Sequence, residues 1–165
     1  MSEKKQAAMK SRWLLLIHQL PPKPAYLRVK VSRRLARLGS VALKNTVYAL
    51  PHTDATVEDF QWVRKEILQD GGEATVLAAQ LIDGLTDAQV EATFRAARDE
   101  DYAALAREAQ SVAKSMGTRP VKPEARAALE AQLGKLEKQL EELVAIDFFK
   151  AGKRATALSG DASLT

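Results

Sequence analysis

The first fifty residues are almost without acid. Between Glu3 and Asp54 there is no carboxylate, although residues 1–52 carry eleven Lys or Arg. That stretch has a formal charge of +10. The other 113 residues carry −6, from 14 bases and 20 acids, so the net +4 conceals a polarised chain. Such a field draws phosphates and other oxyanions to one end, unless the acidic remainder neutralises it from within. Cysteine is absent, which excludes disulfides, a thiol nucleophile and a Cys-based zinc site. Histidine occurs only as His18 and His52, in neither an H-x-E nor an H-E-x-x-H arrangement. The apolar run Trp13–Ile17 is only five residues long, too short for a signal-peptide core or a membrane span, so a cytoplasmic protein is expected. Aromatics are sparse at 5% while Ala and Leu abound, which favours helix-rich packing. With 165 residues, one domain, or a domain with an appendage, is expected.

Residues 12–20, apolar and stopped by Pro21-Pro22, read as a buried strand. From Ala25 to Leu38 the pattern is helical, with Leu27, Val31, Leu35 and Leu38 within about 80° of one another and Gly39 as the stop. Residues 40–50 are β-branched and aromatic, and Lys44-Asn45 divides them into two strands by a bulge or turn. A helix opens at a Thr56–Asp59 capping box, buries Phe60, Val63 and Ile67, and ends at Gly71-Gly72. Residues 73–82 form the next strand. Another helix opens with a Leu85–Val90 staple and a Thr86–Gln89 capping box, is interrupted or bent at Asp99-Glu100-Asp101 and continues to Met116-Gly117. Residues 118–124 form a proline-bearing linker. Leu129, Leu133, Leu136, Leu140 and Leu143 then step in a short heptad seam over 125–150, and residues 151–165 read as a disordered tail. The order strand–helix–two strands–helix–strand is the split βαβ pattern of the ferredoxin-like fold. The expected architecture is therefore α+β: a ferredoxin-like domain at 12–117, the linker, and a C-terminal amphipathic helix.

The strings RWLLLIHQLPPKPAYLRVKVSRRLARLGSVALKNTVYALP (12–51) and GGEATVLAAQLIDGLTDAQVEATFRAARDEDYAAL (71–105), with DFF at 147–149, resemble the N-terminal domain of the ChrB chromate-resistance regulators. More distantly, the first string is similar to the middle domain of PaaX-type repressors, and through it to the ferredoxin-like nucleases of CRISPR adaptation. The resemblance implies a non-enzymatic regulatory protein near nucleic acid. Full-length ChrB proteins carry a second domain and PaaX repressors a preceding winged helix; neither is expected here, which leaves open binding without chromate sensing. Those nucleases place an acidic metal ligand at the end of the first strand, where this chain has His18-Gln19-Leu20, so the resemblance does not extend to metal-dependent cleavage.

The best site candidate is the first helix. Lys30, Arg33, Arg34 and Arg37 lie at i, i+3, i+4 and i+7 beside the apolar stripe, Arg28 lies on its other flank, and Lys44 extends the patch from the next strand. Mutual repulsion among these cations would be relieved by an anion. Three readings stand side by side: a nucleic acid whose phosphates they neutralise, a tetrahedral oxyanion of the chromate or sulfate type, or internal pairing with Glu91, Asp99, Glu100 and Asp101. A protein-interaction module without nucleic-acid binding is the alternative of another class. No catalytic residue, metal site or cofactor is expected. His18 reads as a strand-end histidine satisfied by the backbone, His52 as solvated, and the Asp99–Asp101 run as helix-dipole chemistry. Trp13, Trp62, Phe60 and Phe94 read as core. Phe148-Phe149 and the leucine seam read either as packing on the domain's own sheet or as a homodimer interface.

Overall fold

A computed structural model describes residues 11–118 and 120–159. Its elements are β1 (Trp13–Gln19), α1 (Tyr26–Arg37), β2 (Val41–Lys44), β3 (Val47–Pro51), α2 (Asp54–Gln69), β4 (Glu73–Ala79), α3 (Asp87–Met116), α4 (Pro123–Ala145) and α5 (Arg154–Ser159). Helices and an antiparallel sheet make an α+β chain. It divides into two compact units, the first ending at Val90 and the second beginning at Glu91.

In the first unit the four strands run in the order β2-β3-β1-β4, each antiparallel to its neighbours. Strand β1 is central because it is apolar on both faces. Leu14 stands opposite Leu50 on one side and Ala78 on the other. Side chains alternate across a strand, so Leu14, Leu16 and Leu50 share one face, and all three are buried. Helix α2 packs on β1 and β4, and α1 packs on α2. The stripe Leu27, Val31 and Leu35 of α1 and the stripe Phe60, Val63 and Ile67 of α2 are buried. Leu38, expected in the same stripe, is half-buried because it is already the C-terminal cap of α1.

Both helices end in the same device. Gly39 and Gly71 adopt φ of 76° and 84°. In α1, Gly39 and Ser40 donate to the carbonyls of Ala36 and Leu35; in α2, Gly71 and Gly72 donate to those of Leu68 and Ile67. These are Schellman closures that satisfy the last free carbonyls of a helix. Helix α2 starts three residues earlier than its sequence suggests. The capping box is formed by Thr53 and Thr56, not Thr56 and Asp59, because Thr56 also reaches back to the Pro51 carbonyl and ties the cap to β3. Strand β4 stops at Ala79 rather than residue 82, leaving Ile82 85% exposed. Trp62 is 52% exposed rather than core. It lies about 120° around α2 from the buried stripe at 100° per residue, and the Lys65 ammonium sits 5.0 Å from its ring.

Trp13 is buried, and its indole N–H donates to Asp87 at 2.7 Å. The expected Thr86–Gln89 capping box is present: Thr86 N–H donates to Gln89 Oε1 at 2.9 Å and Gln89 N–H to Thr86 Oγ1 at 3.2 Å.

In the second unit α3 runs past Asp99-Glu100-Asp101 without the expected interruption. No proline or glycine interrupts it there. Asp101 lies 3.0 Å from Arg98 one turn back, and Asp99 accepts the Lys153 N–H at 2.7 Å. Prolines 120 and 123 mark the turn between α3 and α4, with Pro123 in the first turn of α4, where its missing N–H does no harm. After α4 the chain is fastened to α3. The Tyr102 hydroxyl donates to the buried Asp147 carboxylate at 3.1 Å, which also accepts the Ala151 N–H at 3.0 Å. Phe148 and Phe149 pack around Phe94 of α3, with ring centroids 6.1 and 5.2 Å away. Of the leucine seam, Leu136 is buried and Leu133 is 43% exposed, while Leu129, Leu140 and Leu143 are half-buried. Of the expected tail, Ala151 is buried and residues 154–159 form α5; residues 160–165 lie outside the described residues.

Two outcomes test this packing. A Cβ on Gly72 would lie 2.8 Å from both the Gln19 carbonyl oxygen and Ile67 Cγ2. Gly72→Ala is therefore expected to lower unfolding stability by roughly 1–3 kcal/mol in urea titrations. Burial, followed by the hydrogen bond to Asp147, pushes the Tyr102 phenol from its ordinary 10.0 up to about 12. The folded state thus holds this proton more tightly than the unfolded state. Its contribution is complete below pH 10 and disappears as pH rises towards 12. Tyr102→Phe should cost roughly 1–3 kcal/mol at neutral pH and remove that alkaline component from the pH–stability curve.

Candidate functional site

Helix α1 is built to expose its cations. Its apolar residues at 27, 31 and 35 face inward, which turns the residues at 26, 29, 33 and 37 to the opposite side at 100° per residue. Lys30 and Arg34 fall between the two, on the flank facing α2. Tyr26 and Val29 are 64% and 50% exposed, and Arg33 and Arg37 are exposed too. With Glu66 of α2 these side chains line an open groove of about 700 Å³.

The stripe divides into two electrostatic groups. Lys30 Nζ lies 2.7 Å from Asp70 Oδ2, and this hydrogen bond to a carboxylate holds the ammonium above its ordinary pKa. Arg34 Nε stands 3.4 Å from Glu66 Oε1, an ion pair outside hydrogen-bond geometry. Both pairs are solvent-exposed, the kind whose net stabilisation is about 0–1 kcal/mol, so a polyanion can compete for either cation. Arg33 and Arg37 have no ion-pair partner among the described residues, and neither do Arg28 and Lys44. Arg28 and Lys44 are exposed but do not line the groove. Arg28 lies across the buried stripe, and Lys44 ends β2 beside the Asn45–Thr46 turn, at the irregularity in the β2–β3 ladder.

The internal partners are thus not the acids singled out from sequence. Glu91 pairs with Arg95 at 3.1 Å, Asp101 with Arg98, and Asp99 accepts Lys153 N–H. Burial raises the Asp101 pKa, against the opposing pull of Arg98. The acids that meet the stripe are Glu66 in the last turn of α2 and Asp70 at its C-terminal cap, four residues apart. That spacing put both on one helical face in the sequence, but only the α1–α2 packing showed what the face meets.

The histidines are held in the scaffold. His18 is half-buried against the Tyr48 ring at 5.7 Å, and burial lowers its pKa while a hydrogen bond with the Thr46 backbone opposes the shift. His52 is half-buried rather than solvated, with Nδ1 2.9 Å from the Ser11 carbonyl oxygen. Among the described residues no three His, Asp or Glu cluster as a metal site would require, and no helix is long and apolar enough to cross a membrane.

The chain is thus an α+β protein whose first helix presents a partly neutralised cationic face. It belongs to the family described as the N-terminal part of protein ChrB, which it matches over residues 28–159. It is similar to Protein ChrB of Cupriavidus metallidurans, with 29% identity over 91 residues, covering 55% of this chain and 28% of that protein. The chain therefore aligns with little more than a quarter of its relative's length. No solved structure matches.

Proposed function

We propose that this chain is a regulatory protein of the chromate-resistance type that binds nucleic acid through α1. The observation carrying this reading is the pair Arg33 and Arg37, one turn apart, exposed and without carboxylate partners among the described residues. Membership of the ChrB family supports the regulatory assignment. The sheet order supports a ferredoxin-like fold beneath it, since β3 lies between β1 and β2, and β1 between β3 and β4. The openness of the groove favours a polyanion over a single chromate-type oxyanion, which would be bound best by donors closing around it.

Each phosphate neutralised releases counterions, so affinity falls with salt at a slope of about −0.9 per phosphate for a duplex and about −0.7 for a single strand. Arg33 and Arg37, with one more contact from Arg28 or Lys44, set an expected slope of about −2 to −3. Arg33→Glu with Arg37→Glu should abolish binding in anisotropy titrations. Glu66→Gln with Asp70→Asn should release Lys30 and Arg34, raise affinity and steepen the slope to about −4. A slope that ignores both pairs of changes would remove α1 from the interface.

The half-open seam of α4 supports a second contact, between two copies of the chain. Leu133 stands exposed beside buried Leu136. Leu133→Glu is expected to shift the protein from dimer to monomer in light scattering without loss of helical circular dichroism.

A further inference from the structure

Resting on the nucleic-acid reading above, we infer that the ligand of the α1 groove is single-stranded, and that Tyr26 selects it by stacking on a base. A helix seated in a duplex major groove, about 12 Å wide, meets a phosphate backbone along each flank. The two sides of α1 are unequal. On the α2 flank the cations Lys30 and Arg34 are already engaged by Asp70 and Glu66. Those carboxylates stand where a second backbone would run, and like charges there repel it. Arg28 is free but lies across the buried stripe, outside the groove; the outward edge offers a single line of contacts: Tyr26, Val29, Arg33 and Arg37.

The chemistry of that line suits one strand with unpaired bases. Tyr26 is 64% exposed in the first turn of α1, and Val29 beside it is 50% exposed. An aromatic face with an aliphatic neighbour is a stacking platform that any base can use. A duplex offers no free base face to it. Arg33 and Arg37 follow along the same edge, about 6 Å apart at 1.5 Å per residue, and the edge from Tyr26 to Arg37 spans about 16 Å. One strand can therefore lie along the groove with its backbone on the arginines and a base on the tyrosine. The α2 carboxylates then act as a specificity element: they leave room for one backbone and repel a second.

The test compares a fluorescently labelled mixed-sequence oligodeoxynucleotide with the same strand annealed to its complement, titrated against the full chain at low salt. The single strand is expected to bind at least about tenfold more tightly. Tyr26→Ala should weaken single-strand binding about 5- to 150-fold, the range of one lost base stack, with the salt slope unchanged. Tyr26→Phe should retain it, since the ring and not the hydroxyl carries the contact. Circular dichroism of each variant checks that the exposed position leaves the fold intact. Duplex binding equal to or tighter than single-strand binding, or a Tyr26→Ala variant that binds like the parent, overturns the inference. If duplex binding is then lost in Arg33→Glu/Arg37→Glu, the nucleic-acid reading survives without it. If neither form binds the parent at low salt, both fall together.

Discussion

The first unit depends on β1 being apolar on both faces. Pairing on both edges satisfies its backbone, but its apolar Leu14 and Leu16 still demand cover, and α2, with its buried Phe60, Val63 and Ile67 stripe, packs on β1 and β4. Burial of side chains of this size contributes about 1.5–3 kcal/mol each. From that constraint follows the placement of α1. Packed against α2, it must bury Leu27, Val31 and Leu35, and the helical period then turns Arg33 and Arg37 outward. The cationic face is a geometric consequence of how the core is filled.

The same packing that exposes the stripe also trims it. Two helices side by side bring Glu66 and Asp70 against Lys30 and Arg34, so only part of the formal charge of α1 remains available. Exposed ion pairs contribute little to stability because solvent screens them. Their larger effect here is on binding, where they decide which cations an incoming phosphate meets already engaged. The acid-free opening of the sequence therefore overstates the field at the groove itself.

Much of the fold was legible because its signals are local. The strand before Pro21-Pro22, the glycine stops at Gly39 and Gly71, and the Thr86–Gln89 box each rest on residues within one turn of one another, and each stands in the structure. Departures arise where a distant group intervenes. Thr56 belongs to an earlier cap because the Pro51 carbonyl of β3 accepts its hydroxyl. Asp99–Asp101 does not break α3, because Arg98 and the Lys153 N–H take up its carboxylates. Trp62 reads as core by residue type alone, and the register of α2 turns it to solvent.

By itself the sequence determined the order of strands and helices, the apolar stripe of α1 and the cations beside it, since periodicity and turn chemistry act over a few neighbouring residues. Which of those cations are free was decided only by tertiary structure. Lys30 and Asp70 are forty residues apart, and no local pattern relates them. They meet because two buried stripes place α1 against α2, and the short range of an exposed ion pair makes that meeting, rather than the overall charge, the determinant of what the face presents.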